Sequence, residues 1–157
     1  MSDARFEDGD EGPLRLLVRG PEDLPILAAL VQDAVFAASE MTYARGRRRF
    51  AILLNRFRWE DSDAAQRAGR PFERVQSLLT VESVQAVRTQ GITRDDKDRI
   101  LSLLDITYDG NADGPGRLTL ILAGDGAIAL DIEAPEIALR DTTRPHRAVS
   151  GKMPEHR

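Results

Sequence analysis

The sequence of 157 residues contains no cysteine, and this absence removes several classes of chemistry at once. Disulfide bonds, thiol nucleophiles, thiolate metal sites and iron–sulfur clusters all require that side chain. Histidine is almost as scarce, because the only two, His146 and His156, lie in a polar C-terminal tail. We therefore expect neither histidine catalysis nor histidine-bound metal in the folded part of the chain.

Long apolar runs are missing as well. The longest spans residues 26–31, far short of the roughly 20 residues that a membrane-spanning helix needs. A signal peptide begins with basic residues. This N-terminus instead carries five acids: Asp3, Glu7, Asp8, Asp10 and Glu11. We therefore expect a cytoplasmic protein that does not associate with membranes.

The net charge of −4 is distributed unevenly along the chain. Residues 45–74 hold nine arginines and four acids, a local charge of +5, so the remainder carries −9. The calculated isoelectric point of about 5.3 is low for a protein that binds nucleic acid over a broad basic surface. The positive charge is therefore a local feature that needs its own explanation.

The hydrophobic pattern predicts an α+β fold. Residues 24–33 have the spacing of a short amphipathic helix, and residues 134–140 are predicted as one or two further helical turns. Residues 60–71 form a polar loop with some helical character. Extended or alternating patterns predict strands at 14–19, 35–43 with a bulge near 39–40, 48–59, 74–89, 100–108, 117–123 and 127–133. Gly124-Asp125-Gly126 favours a hairpin between the last two strands.

Short links between these strands favour antiparallel pairing. We therefore predict a curved, mostly antiparallel sheet or small open barrel of about six or seven strands, with a helix near each end. The predicted organisation is a disordered acidic N-terminus at 1–12, one globular domain at 13–141 and a flexible tail at 142–157.

Four segments, at residues 32–35, 48–60, 88–92 and 100–104, carry a resemblance to a known family. The most specific is Phe-Ala-x-x-Leu-Asn-Arg-Phe-x-Trp-Glu at residues 50–60. Together they resemble a bacterial domain of unknown function, number 2948, which is found chiefly in alphaproteobacteria. The resemblance covers about residues 14–141 and implies a cytoplasmic single-domain protein. It brings no activity, cofactor or functional residue with it.

An arginine-rich hairpin is the strongest candidate for a binding site. Its arginines are Arg45, Arg47, Arg48, Arg49, Arg56 and Arg58. Strand alternation places Arg56 and Arg58 on one face with Phe50, Ile52 and Leu54. Phe57 and Trp59 share the other face with Leu53, which makes them core candidates.

Two interpretations of the hairpin compete. Guanidinium groups bind phosphate bidentately, and exposed rings at Phe57 or Trp59 would stack on bases, which would make an RNA site. Alternatively, the arginines pair with internal carboxylates. The candidates are Glu60, Asp105, Asp131 and Glu133. We favour the second interpretation because the rest of the chain is strongly acidic.

The remaining motifs are incomplete. Residues 109–114 match the first half of a calcium loop, but its twelfth position is Leu120 where a glutamate is needed. Residues 124–129 fit a dinucleotide fingerprint only superficially, since they open a strand rather than a helix. Asp131 and Glu133 share a strand face and could be a catalytic pair or simply solvated. We therefore assign no metal, no cofactor and no catalytic residue.

These observations favour a small non-enzymatic binding or adaptor domain that contacts another protein. One alternative is RNA or phosphate-ligand binding through hairpin 45–58. A carboxylate-based hydrolase is the second alternative.

The incomplete calcium loop leads to a prediction about stability. We expect the melting midpoint in scanning calorimetry to be the same with excess chelator as with added calcium, because the fold needs no metal. A midpoint several degrees lower in chelator would contradict this expectation.

Overall fold

The computed structural model describes residues 13–93, 96–142 and 146–147. These residues form eleven strands, two α-helices and several short 3-10 turns. The elements are β1 (Arg15–Val18), α1 (Leu24–Val31), β2 (Val35–Ala37), β3 (Met41–Ala44), β4 (Arg49–Phe57), α2 (Ser62–Ala68), β5 (Glu73–Val81), β6 (Val84–Gln90), β7 (Ile100–Gly110), β8 (Gly116–Leu122), β9 (Ala127–Ile132), β10 (Ile137–Asp141) and β11 (His146–Arg147).

All strand pairings in this sheet are antiparallel, in the order β1-β10-β5-β4-β2-β7-β8-β9-β6. In addition, β3 pairs with β4 and β11 pairs with β5. Only Glu82 and Ser83 join β5 to β6, although these strands stand third and ninth in the order. The sheet must therefore curl strongly. It does not close, because β1 and β6 form its ends and are not paired with each other in the described part of the chain.

Strand alternation fills the inside of the curl with apolar side chains. Along β8 and β9, every second residue from Leu118 to Leu122 and from Ile128 to Ile132 is buried. The buried side of α1 joins the same core, where Leu27 and Val31 are fully enclosed. Each such side chain contributes about 1.5–3 kcal/mol of transfer free energy. Neither helix of the described chain is long and apolar enough to cross a membrane.

The predicted antiparallel α+β class is confirmed, but the number of strands was wrong. The stretch 35–43 is divided into β2 and β3 by a 3-10 turn at Ala38–Glu40. The stretch 74–89 is divided into β5 and β6, because Ser83 has a φ of +58° that a regular strand does not allow. The predicted hairpin between β8 and β9 is confirmed.

The predicted helix near the C-terminal end was also wrong. Residues 137–141 form β10, which pairs with β1 and β5, and the second helix is α2 within the polar loop. The alternation of Ile137 and Leu139 with Ala138 and Arg140 is the strand period that the helical interpretation overlooked.

Part of the predicted organisation falls on residues that the structure does not describe. The disordered N-terminus predicted at 1–12 lies outside the described residues, as do residues 143–145 and 148–157 of the predicted tail. Two residues within that tail, His146 and Arg147, form β11 against Arg74 and Glu73.

The loop between β7 and β8 contains the residues that partly match a calcium site. Here the hydroxyl oxygen of Tyr108 lies 2.8 Å from the carbonyl oxygen of Asn111 and 2.9 Å from that of Gly114. Gly110 and Gly116 face each other across the ladder, directly beside that ring. The absence of a side chain at Gly116 lets the tyrosine reach the loop.

We expect Gly116→Ala to lower the free energy of unfolding by about 1–3 kcal/mol, because a Cβ there would overlap the Tyr108 ring. Gly46→Ala is the matched control, since nothing lies within 4 Å of a Cβ at that position. Urea denaturation of both variants is the measurement. Equal midpoints would contradict the expectation.

Candidate functional site

The six arginines predicted as one site lie at opposite ends of β4. Arg45, Arg47 and Arg48 directly precede the strand and Arg49 is its first residue, whereas Arg56 and Arg58 lie at its end. Arg56 is seven residue steps along the strand from Arg49, a distance of about 23 Å. The structure therefore provides two arginine groups with different surroundings.

Arg56 is completely buried and fully hydrogen-bonded. Its Nη1 donates to Glu60 Oε1 at 2.9 Å and its Nη2 to Glu60 Oε2 at 2.8 Å, a bidentate pair. The same Nη2 donates to Asp141 Oδ1 at 2.9 Å, and Nε donates to Ser77 Oγ at 3.0 Å. Ser77 Oγ in turn donates to Asp141 Oδ1 at 2.7 Å.

Asp141 connects this network to the beginning of the fold. Its second oxygen, Oδ2, accepts the backbone N–H of Leu14 at 2.8 Å, while its own N–H donates to the Leu14 carbonyl at 3.0 Å. The carboxylate therefore holds β10 beside the start of β1 as well as beside Arg56.

The electrostatic state of Arg56 follows from these contacts. Burial by itself lowers the pKa of Arg56, but hydrogen bonds and Coulomb attraction from Glu60 and Asp141 outweigh it, so the net pKa is raised. The guanidinium therefore stays charged inside the protein, and the carboxylates of Glu60 and Asp141 compensate its charge.

Arg58 is also buried and extends the network toward the surface. Its Nη1 donates to Glu73 Oε1 and lies 3.6 Å from Asp61 Oδ2. Asp61 is held by both terminal nitrogens of Arg70 at 3.2 Å. The network therefore combines three arginines with four carboxylates, which neutralise their positive charge. The arginines are Arg56, Arg58 and Arg70, and the carboxylates are those of Glu60, Asp61, Glu73 and Asp141.

The aromatic side chains of this segment pack inside the protein. Phe57 is fully buried against Trp59 and Phe72, with ring centroids 4.6 and 5.7 Å away. The indole Nε1 of the half-buried Trp59 donates to the Gln32 carbonyl at 2.9 Å. These rings therefore do not form an exposed stacking surface.

The arginine turn, residues 45–49, has a different character because all four of its arginines are exposed. Arg48 Nη1 bonds Glu133 at 2.6 Å, and Arg49 Nε bonds Glu82 at 2.9 Å. Within the described residues, Arg45 and Arg47 have no ion pair. The turn therefore presents two uncompensated cations beside two compensated ones.

The predicted carboxylate partners were only partly right. Glu60 pairs with Arg56 and Glu133 with Arg48, but Asp131 pairs with Arg117 at 2.9 Å and Asp105 accepts the N–H of the next residue. Asp141 and Ser77 were missed. Had β10 been recognised as a strand, its alternation would have placed Asp141 inward, in line with Ile137 and Leu139.

Asp131 and Glu133, which the sequence left open as a catalytic pair or a solvated sheet face, are each paired with an arginine. No group of three or more histidine, cysteine, aspartate or glutamate side chains arranged to hold a metal ion occurs in residues 13–93, 96–142 or 146–147.

We expect Arg56→Gln to lower the free energy of unfolding by about 3–5 kcal/mol, because it leaves the buried carboxylate of Asp141 uncompensated. Arg49→Gln, which breaks an exposed ion pair, is the control and should cost about 0.2–1 kcal/mol. Chemical denaturation of both variants measures the difference. If Arg56→Gln proved as stable as the natural chain, Arg56 would not hold the fold.

Comparisons with known proteins agree with the resemblance of segment 50–60. No curated protein and no solved structure matches the chain. A family model described as a protein of unknown function (DUF2948) matches residues 14–156, which extends beyond the end of the resemblance at residue 141. The chain therefore belongs to the DUF2948 family.

Proposed function

We propose that the protein is a small, non-enzymatic, cytoplasmic binding domain that contacts an acidic surface of another protein through the arginine turn. The observation that carries this proposal is the exposure of Arg45 and Arg47 without an ion pair among the described residues. Unpaired surface cations on one turn attract and orient an acidic partner.

The arginine turn is held in place by its neighbours, which reduces the entropy lost on binding. The N–H of Arg48 donates to the Arg45 carbonyl at 3.1 Å, and the N–H of Val84 donates to the Arg48 carbonyl at 2.8 Å. Tyr43 Oη also donates to the Val84 carbonyl at 2.8 Å. The cations therefore project from a fixed backbone.

Two features support a protein partner over RNA. Arg56 and Arg58 are enclosed by carboxylates, so the exposed cations of the hairpin are limited to the turn. Phe57 and Trp59 are already packed, which removes the stacking surface that single-stranded RNA sites use.

The test reverses the charge of the two unpaired cations. We expect the double variant Arg45→Glu, Arg47→Glu to capture at least tenfold less protein than the natural chain from a ribonuclease-treated lysate of the source cells. Its melting midpoint should not change. Arg19→Glu with Arg67→Glu is the charge-matched control, because both side chains are exposed and neither belongs to the turn.

Two results would contradict the proposal. One is capture that survives reversal of Arg45 and Arg47 unchanged. The other is capture that disappears after ribonuclease treatment, together with binding of a single-stranded RNA oligomer that depends on Arg45 and Arg47. The second result would favour the RNA alternative.

A further inference from the structure

Strand β1 forms one end of the sheet and has an open edge in the described part of the chain. The N–H of Asp141 donates to the Leu14 carbonyl, so these two residues are a hydrogen-bonded pair of the ladder. Because such pairs alternate, Leu16 and Val18 also bond to β10. The backbone N–H and C=O groups of Arg15 and Leu17 therefore point toward the open edge.

Two arginines meet at this edge without a compensating acid. Arg15 lies directly opposite Arg140 on β10, in a non-hydrogen-bonded pair where Cα atoms are about 4.5 Å apart. Both side chains are exposed, and neither has an ion pair within the described residues. Like charges placed opposite each other destabilise a sheet. An anionic group bound between them would remove that repulsion.

Apolar surface lies directly beside the arginine pair. Leu17 and Ala138 form the next pair on the same face, and both are half-buried. Together with the arginines they line an open depression between β1 and β10. A ligand for this surface must therefore supply both a negative charge and an apolar group.

We propose that the open edge of β1 is a docking site for an extended acidic–apolar segment of a partner protein, which binds by strand addition. An added strand satisfies the outward backbone groups of Arg15 and Leu17. Its acidic side chain lies beside Arg15, on the face where Arg140 is one strand further into the sheet, and its apolar side chain, two positions away, lies at Leu17. A polypeptide backbone matches these donors and acceptors, whereas a nucleic acid does not.

This site is separate from the arginine turn. Strands β10 and β5 lie between β1 and β4, so the two surfaces are about 14 Å apart across the sheet alone. The proposal therefore goes beyond the proposed function, and each can fail without the other.

The probe is the synthetic peptide Thr-Glu-Thr-Leu-Thr-Glu-Thr, whose symmetric pattern suits either strand direction. Added to the full chain, it should slow hydrogen exchange at the amides of Arg15 and Leu17 at least tenfold. The matched peptide with lysine in place of both glutamates should leave exchange unchanged. Added salt should weaken binding of the glutamate peptide, because the attraction is between exposed charges.

Two variants separate the charge from the backbone contribution. Arg15→Glu should weaken peptide binding at least tenfold, whereas the control Arg67→Glu, at an exposed arginine on α2, should change it less than twofold. Leu17→Pro removes the leucine side chain and an N–H that faces the open edge, while the bonds to β10 persist. Leu17→Ala removes only the side chain and is its control, so binding should fall further in Leu17→Pro than in Leu17→Ala. Melting curves establish that each variant is folded.

Three results would overturn the proposal. The first is protection of the Arg15 and Leu17 amides in the free full chain, which would mean that the edge is already covered. The second is equal binding of the glutamate and lysine peptides. The third is undiminished binding to folded Leu17→Pro, which would exclude strand addition.

Discussion

The buried guanidinium of Arg56 is the constraint on which the arrangement of this fold depends. A charge in the interior requires a carboxylate and complete hydrogen bonding, since an uncompensated one costs several kcal/mol. Glu60 comes from the turn after β4, Ser77 from β5 and Asp141 from β10. A fold that compensates the charge of Arg56 must therefore bring β4, β5, β10 and the turn after β4 together at one point.

The same network also positions the strand at one end of the sheet. Asp141 uses its second oxygen to bind the Leu14 amide, and this contact aligns β1 on β10 with Arg15 opposite Arg140. Because β1 is then the last strand of the described sheet, its outer edge stays open. The arginines at the two ends of β4 therefore differ: Arg56 and Arg58 are buried among carboxylates, whereas Arg45 and Arg47 are exposed and have no ion pair with any described residue.

The curled sheet encloses the interior of the fold. The two-residue link between β5 and β6 forces the curl, and the resulting interior is filled from both halves of the sheet together with α1. In the part of the chain that the structure describes, the buried polar side chains are those of Asp23, Arg56, Arg58, Ser62 and Ser77.

The sequence by itself determined the fold class, the hairpins, the family and the shared face of Arg56 with Phe50, Ile52 and Leu54, because each depends on local alternation or short motifs. It did not determine the partner Asp141, 85 residues away, or the apposition of Arg15 and Arg140. Alternation tells which face a side chain occupies, but it does not tell which strand lies beside it. Only the tertiary structure decides that, since long-range pairing depends on how the whole core packs.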